Sequence, residues 1–162
     1  MQNEIYTSIR NRLQEKLPEL EYVDLQKGQI NLYGQETNLP LPAALIEIKQ
    51  VDWTETAGGY QTGDALLSVY LYLDKTAGTL DPNVQDAESL RLLDMQEEIF
   101  RALEKLSGNT FQPLVRVAES IVADPDFVVA RSDFKTNVYD EPADNYILLP
   151  TPPTSEITMN NE

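Results

Sequence analysis

An α+β domain is the fold class this sequence predicts: an antiparallel sheet built from two long hairpins, with an N-terminal helix and one long central helix packed on it. Two segments return an apolar residue every three or four positions, as amphipathic helices do. Several others alternate apolar and polar residues, as half-buried strands do. The strand-like runs follow one another through turns and lack the helical crossovers a parallel sheet requires, so hairpins are the expected connection.

Asn3 is placed as an N-cap, after which Ile5, Ile9, Leu13 and Leu17 recur every four residues until Pro18 closes the segment. The rest of this helix carries Arg10, Arg12 and Lys16, a local surplus of positive charge that suits solvent or an acidic neighbour. Tyr22 and Asp24, then Ile30 and Leu32, flank Lys27-Gly28 and read as two short strands around a turn. Residues 35–42 contain Asn38, Pro40 and Pro42 and read as a loop leading into an extended chain.

Over 44–53, Ala44, Ile46 and Ile48 fall on one side by alternation, and Leu45, Glu47, Lys49, Val51 and Trp53 on the other. Residues 64–74 repeat the pattern, with Ala65, Leu67, Val69, Leu71 and Leu73 opposite Leu66, Ser68, Tyr70 and Tyr72. The two runs pair as a hairpin whose tip, 54–63, holds Gly58, Gly59 and Gly63 and exceeds what a tight turn needs. Asp81 and Pro82 start the longest helix and Gly108 is its expected left-handed stop. Leu92, Met95, Ile99, Leu103 and Leu106 mark its buried stripe, widened by Leu93 and Phe100. Runs 114–123 and 127–139, hinged at Asp124-Pro125-Asp126, form the second hairpin. The domain is therefore expected over 1–140, and 141–162 reads as a proline-rich extended arm.

Absent residue types narrow the chemistry. The chain of 162 residues has no Cys and no His, so disulfides, thiolate nucleophiles, Ser-His-Asp triads and HExxH sites are excluded. Its 27 acidic against 12 basic residues give a net charge of −15, which repels a nucleic-acid backbone. No segment approaches the roughly 20 apolar residues of a membrane span, and Met1-Gln2-Asn3-Glu4 opens no basic-then-apolar leader. A soluble, cytoplasmic protein is expected.

No catalytic, metal or cofactor site is expected. Asp124 and Asp126 belong to a turn without a calcium-loop pattern, and Glu97 and Glu98 are helix neighbours that do not converge. The hairpin tip carries no phosphate-binding glycine motif and leads into a strand. Tyr70 and Tyr72 share one side of a strand, and aromatic residues there pack more often than they bind. The candidate contact residues are Trp53, Thr54, Gly58, Gly59 and Tyr60 at the tip, Arg10, Arg12 and Lys16 on the first helix, and Tyr146, Ile147, Leu148 and Leu149 in the arm. The last four form an apolar patch suited to strand addition, within its own domain or on a neighbour.

This order of elements resembles the tail-terminator or tail-completion proteins of tailed bacteriophages. The resemblance covers about residues 4–140 and rests on the helix 4–17, the stretch Pro42-Ala43-Ala44-Leu45-Ile46-Glu47-Ile48, the partner strand Ala65-Leu66-Leu67-Ser68-Val69-Tyr70-Leu71, and the helix 88–106. It implies a virion protein assembled in the host cytoplasm: a hexameric ring at the head-proximal end of the tail, capping the tail-tube protein and joining it to the head-tail connector, with DNA passing through the lumen. The arm after Asp140 departs from the short ends expected of that family and leaves a sibling role in the neck open. Two other readings stand beside it. One is a monomeric protein-binding or small-ligand adaptor with a pocket near Tyr70 and Tyr72; the other is a carboxylate-dependent hydrolase.

Overall fold

A four-residue apolar repeat drifts slowly round a helix and so keeps one stripe against a core. Ile5, Ile9, Leu13 and Leu17 are all buried, each contributing about 1.5–3 kcal/mol of burial. In the computed structural model, which describes residues 1–32, 39–74, 82–124 and 126–140, this helix, α1, runs Gln2–Lys16. Its N-cap is Met1 and not Asn3, which lies inside the first turn with its carbonyl accepting the Thr7 hydroxyl at 2.8 Å.

The remaining elements are β1 (Tyr22–Leu25), β2 (Ala43–Glu55), β3 (Gln61–Asp74), α2 (Pro82–Leu103), β4 (Val115–Val122) and β5 (Phe127–Asp140). The strands form one sheet in the order β1-β2-β3-β5-β4. Both long hairpins are present, and β3 lies centrally between β2 and β5. The fold is α+β as expected, but the sheet is mixed: β1 runs parallel to β2, pairing Tyr22 with Ala43 through Leu25 with Ile46.

That parallel strand corrects the expectation of a short hairpin around Lys27-Gly28. Gly28 turns the chain at φ +81°, and the Gln29 side chain then pins the turn, accepting the Lys27 N–H at 2.6 Å and donating to the Leu25 carbonyl at 2.7 Å. Residues Gln29–Leu32 coil into a 3₁₀ turn, so Ile30 and Leu32 do not form a strand.

Both helices cover one face of the sheet. There Ala44, Ile46, Ala65, Leu67, Val69, Leu71, Phe134 and Val138 meet Ile5, Ile9, Leu13, Leu92, Met95, Ile99 and Leu103. The opposite face holds a smaller cluster of Ala43, Leu45, Tyr72, Phe127 and Val129, flanked by Tyr22, Ile30, Leu39 and Leu41. Tyr70 and Tyr72 are thus on the face away from the helices. Tyr72 is buried edge-on against Phe127 at a ring separation of 5.8 Å, and the Tyr70 hydroxyl donates to Glu47 at 2.8 Å. On α2, Leu92, Met95, Ile99 and Leu103 are buried as expected, but Leu93 is 53% exposed and points outward.

The end of α2 also differs from expectation. The left-handed residue is Lys105, at φ +65°, held there because its N–H donates to the Leu114 carbonyl at 3.0 Å. Gly108 serves space and not backbone freedom: a Cβ there would meet the ring of buried Phe111 and come within 2.7 Å of the Glu4 carboxylate. Glu4 accepts the Asn109 N–H at 2.7 Å and the Thr110 hydroxyl at 2.6 Å, so α1 is latched to the loop before β4. The Thr110 hydroxyl and then the Asn109 N–H hold the Glu4 carboxyl below its ordinary range. Asp81, the expected cap of α2, lies outside the described residues.

Candidate interaction surface

The hairpin of β2 and β3 is regular almost to its end, so its loop is shorter than the ten residues expected. Strand pairing continues through Thr54 with Thr62 and Glu55 with Gln61. Only Thr56 to Tyr60 remain, closed by the Thr56 N–H on the Tyr60 carbonyl at 2.7 Å and the Thr56 hydroxyl on the same oxygen at 2.9 Å. Gly58 and Gly59, at φ +81° and +79°, make the reversal that L side chains resist. This closure leaves Tyr60 54% exposed at the tip.

Trp53 is displaced from its expected side by a bulge. Ile48 pairs with Leu67 and Gln50 with Leu66, so Lys49 is the extra residue and every later side chain of β2 changes face. Val51 and Trp53 therefore lie on the helix face, opposite Ala65 and Gly63, and not beside Leu45. Gly63 makes room for them: a Cβ there would approach Val51 to 2.9 Å and the Trp53 ring to 3.1 Å. Trp53 is seated over a glycine and still 38% exposed. Asp52, Glu55, Asp64 and Asp140 surround this end of the sheet, and residues 50–64 contain no Lys or Arg, so the tip is acidic.

The three cations of α1 do not act together. Arg12 and Lys16 line a shallow groove of about 250 Å³ against Glu98, Arg101 and Ala102 of α2. Arg10 is half-way round the helix from Arg12, with its guanidinium 5.6 Å from the Tyr6 ring centre and one nitrogen donating to Asn11 at 3.3 Å. Tyr146, Ile147, Leu148 and Leu149 lie outside the described residues.

Two polar constellations had no signature in the sequence. On the face away from the helices, Asp133 is 7% exposed; its Oδ1 accepts the hydroxyl of fully buried Ser68 and meets Lys49 Nζ at 3.5 Å and Arg131 Nε at 3.3 Å. The other constellation joins α1 to β1. Asp24 accepts the hydroxyls of Tyr6 and Tyr22, each at 2.9 Å, the Leu25 N–H at 2.8 Å and Lys27 Nζ at 2.8 Å. Burial pushes this carboxyl up, but the bonds from Lys27, Leu25, Tyr6 and Tyr22 together outweigh it and bring it down to about 2.

A pH dependence of stability follows from that depression. The folded pKa lies below the ordinary value, so the stabilisation is complete above about pH 4 and is lost as pH falls through about 2, amounting to about 2 kcal/mol. Asp24→Asn is expected to melt earlier than wild type at pH 7, with the gap closing in acid below pH 3. Thermal melts of both proteins across that range check it, and a gap independent of pH would remove Asp24 from this role.

Among the described residues, no helix is long and apolar enough to cross a membrane. No protein-family model matches the chain, and no curated protein matches it. One solved structure, known by a sequence identifier alone, aligns over 88% of this chain and 99% of its own length at 15% identity, with a TM-score of 0.41, too low a likeness to carry an argument.

Proposed function

We propose that this chain is a non-enzymatic structural subunit that assembles with copies of itself into a ring at the head-proximal end of a phage tail. There the ring caps tail-tube growth and joins the tail to the head connector. The observation that carries the reading is the pairing of an exposed aromatic hairpin tip, Trp53 and Tyr60, with a sheet whose outer strand β4 has no second partner among the described residues. Exposed apolar side chains beside free strand edges are surfaces that a solitary protein guards against, and a ring uses them. Such a role is steric and adhesive, so it needs shape and charge and no reactive side chain. The acidic tip, with Asp52, Glu55, Asp64 and Asp140, suits a lumen through which DNA slides without sticking.

Native mass spectrometry and negative-stain images of the purified chain, alone and with tail tubes, test this reading. Rings, alone or on tube ends, and tubes that stop growing when the chain is added, are the expected results. A monomer that neither self-assembles nor binds tubes or connectors at high concentration overturns it in favour of an adaptor. A divalent metal that raises the melting temperature would favour a hydrolase instead.

A further inference from the structure

Two strand edges of the sheet are unpaired among the described residues. One is the outer edge of β4 beyond Arg116, whose own N–H is taken by the Glu104 carboxylate at 3.2 Å. Beside it, Val117 and Ile121 of β4 are 46% and 58% exposed, and Leu90 and Leu93 of α2 are 60% and 53% exposed. Leu90, Leu93 and Ile121 belong to one flank, and Val117 is the residue that a bulge adds to β4 between Arg116 and Ala118. The Gln96 amide donates to the Arg131 carbonyl at 3.3 Å and lies 3.4 Å from the Ser132 hydroxyl, and Ser132 pairs with Glu119. One turn back along the helix therefore brings Leu93 level with Ala130 and its partner Ile121.

The other edge belongs to β2. Strand β1 covers it only from Ala43 to Ile46, and the last bond, from the Gln26 N–H to the Ile46 carbonyl at 2.8 Å, marks where β1 leaves. Residues 48–55 of β2 continue beyond that point with one side unpaired, a run as long as the eight residues of β4. The bulge at Lys49 turns Trp53 of this run to the helix face, which is the face Ile121 occupies.

We propose that the β4 edge of one copy, with Leu90, Leu93, Val117 and Ile121, pairs antiparallel with residues 48–55 of β2 in a second copy, Trp53 lying level with Val117 and Ile121 level with Lys49. This rests on the ring reading and names its interface. Direction agrees: β2, β3, β5 and β4 alternate, so β4 is antiparallel to β2, the more stable sense of pairing. Offset agrees as well. Through Lys135 and Leu66, Val115 is level with Gln50, and through Val129 and Tyr72, Val122 is level with Ala43. Moving β4 up to residues 48–55 is a rise of about 16 Å across four strand spacings of about 19 Å in all. That corresponds to a strand tilt of about 40°, within the 35–45° at which sheets close on themselves. The contact is heterologous, using two different surfaces of one chain, and such contacts give rings when the rotation from copy to copy closes.

Ile121→Lys and Trp53→Lys test it, since each places a charge on one surface only; Ile121→Lys is expected to melt with the wild-type monomer and Trp53→Lys to stay folded while melting lower, its ring being lost from Gly63. Either variant alone is expected to weaken assembly by about 30-fold or more and run as a monomer. Mixed in equal amounts they are expected to form dimers and nothing larger, because each pair has one intact β2 edge and one intact β4 edge. Wild-type rings with either variant still assembling, or a mixture that stays monomeric, overturn this interface and leave the ring reading standing. A wild type that forms no ring, alone or on tubes, takes both down.

Discussion

Replacing Phe134 with Ala is expected to lower stability by about 3–5 kcal/mol, a large share of the roughly 5–15 kcal/mol that holds a domain of this kind together. Phe134 is fully buried near the middle of β5, between Leu67 on β3 and Arg116 on β4, and its ring belongs to the cluster that α1 and α2 cover. Central strands have no slack with which to collapse round a lost ring, so transfer and cavity costs add. Phe134→Leu retains most of the volume and is expected to cost less than half as much. Urea denaturation followed by circular dichroism measures both, with the midpoint falling and the slope unchanged. A loss below about 1 kcal/mol for the alanine variant would mean that the two helices do not close over β5 as described.

Removing the Asp133 carboxylate is the second large effect, and its size comes from what is left behind. Asp133→Ala strands the buried Ser68 hydroxyl without its acceptor and leaves Lys49 and Arg131 facing one another without the charge between them. Breaking a fully buried pair costs about 3–5 kcal/mol. Here the Lys49 and Arg131 side chains are 25% and 34% exposed, water can partly replace the partner, and about 2–3 kcal/mol is expected. Ser68→Ala removes a single hydrogen bond and is expected to cost about 1 kcal/mol. In the double variant the two losses should add to less than their sum, since one bond cannot be lost twice. Strict additivity in chemical denaturation would show that the hydroxyl and the carboxylate are not coupled.

Periodicity made most of the elements legible. The returns of Ile5, Ile9, Leu13 and Leu17, and the alternation from Ala65 to Leu73, reflect regular geometry repeated along one segment, and both are buried as that geometry requires. Asp124 in the second hairpin was readable for a similar local reason, its side chain accepting the N–H groups of Asp126 and Phe127 at 2.9 and 3.0 Å. Alternation failed at Lys49, because a bulge adds a residue without changing composition, and so Trp53 was assigned to the wrong face. Apolar character alone also misread Ile30 and Leu32 as strand, where a side chain two residues from Lys27 locks a 3₁₀ turn.

The candidate surface divides in the same way. Trp53 and Tyr60 stood out as aromatic residues beside glycines, but Leu93 read as part of the helix's buried stripe and proved to be exposed, as are Leu90, Val117 and Ile121. Nothing periodic distinguishes them, since they gather only once α2 packs over β5, the partner strand of β4. The Ser68–Asp133 contact spans 65 positions, and no local spacing rule reaches that far.

By itself the amino-acid order determined which segments coil, which extend and where most of them turn, and the missing Cys and His removed whole classes of chemistry. Those properties depend on neighbours along the chain and on the reactivity of single side chains. Strand order, the parallel seat of β1, the face on which Trp53 emerges and the edges of β2 and β4 left unpaired among the described residues were decided only in three dimensions. Each depends on which distant segments share water-free space, and that is fixed by packing of the whole molecule and by no short stretch of it.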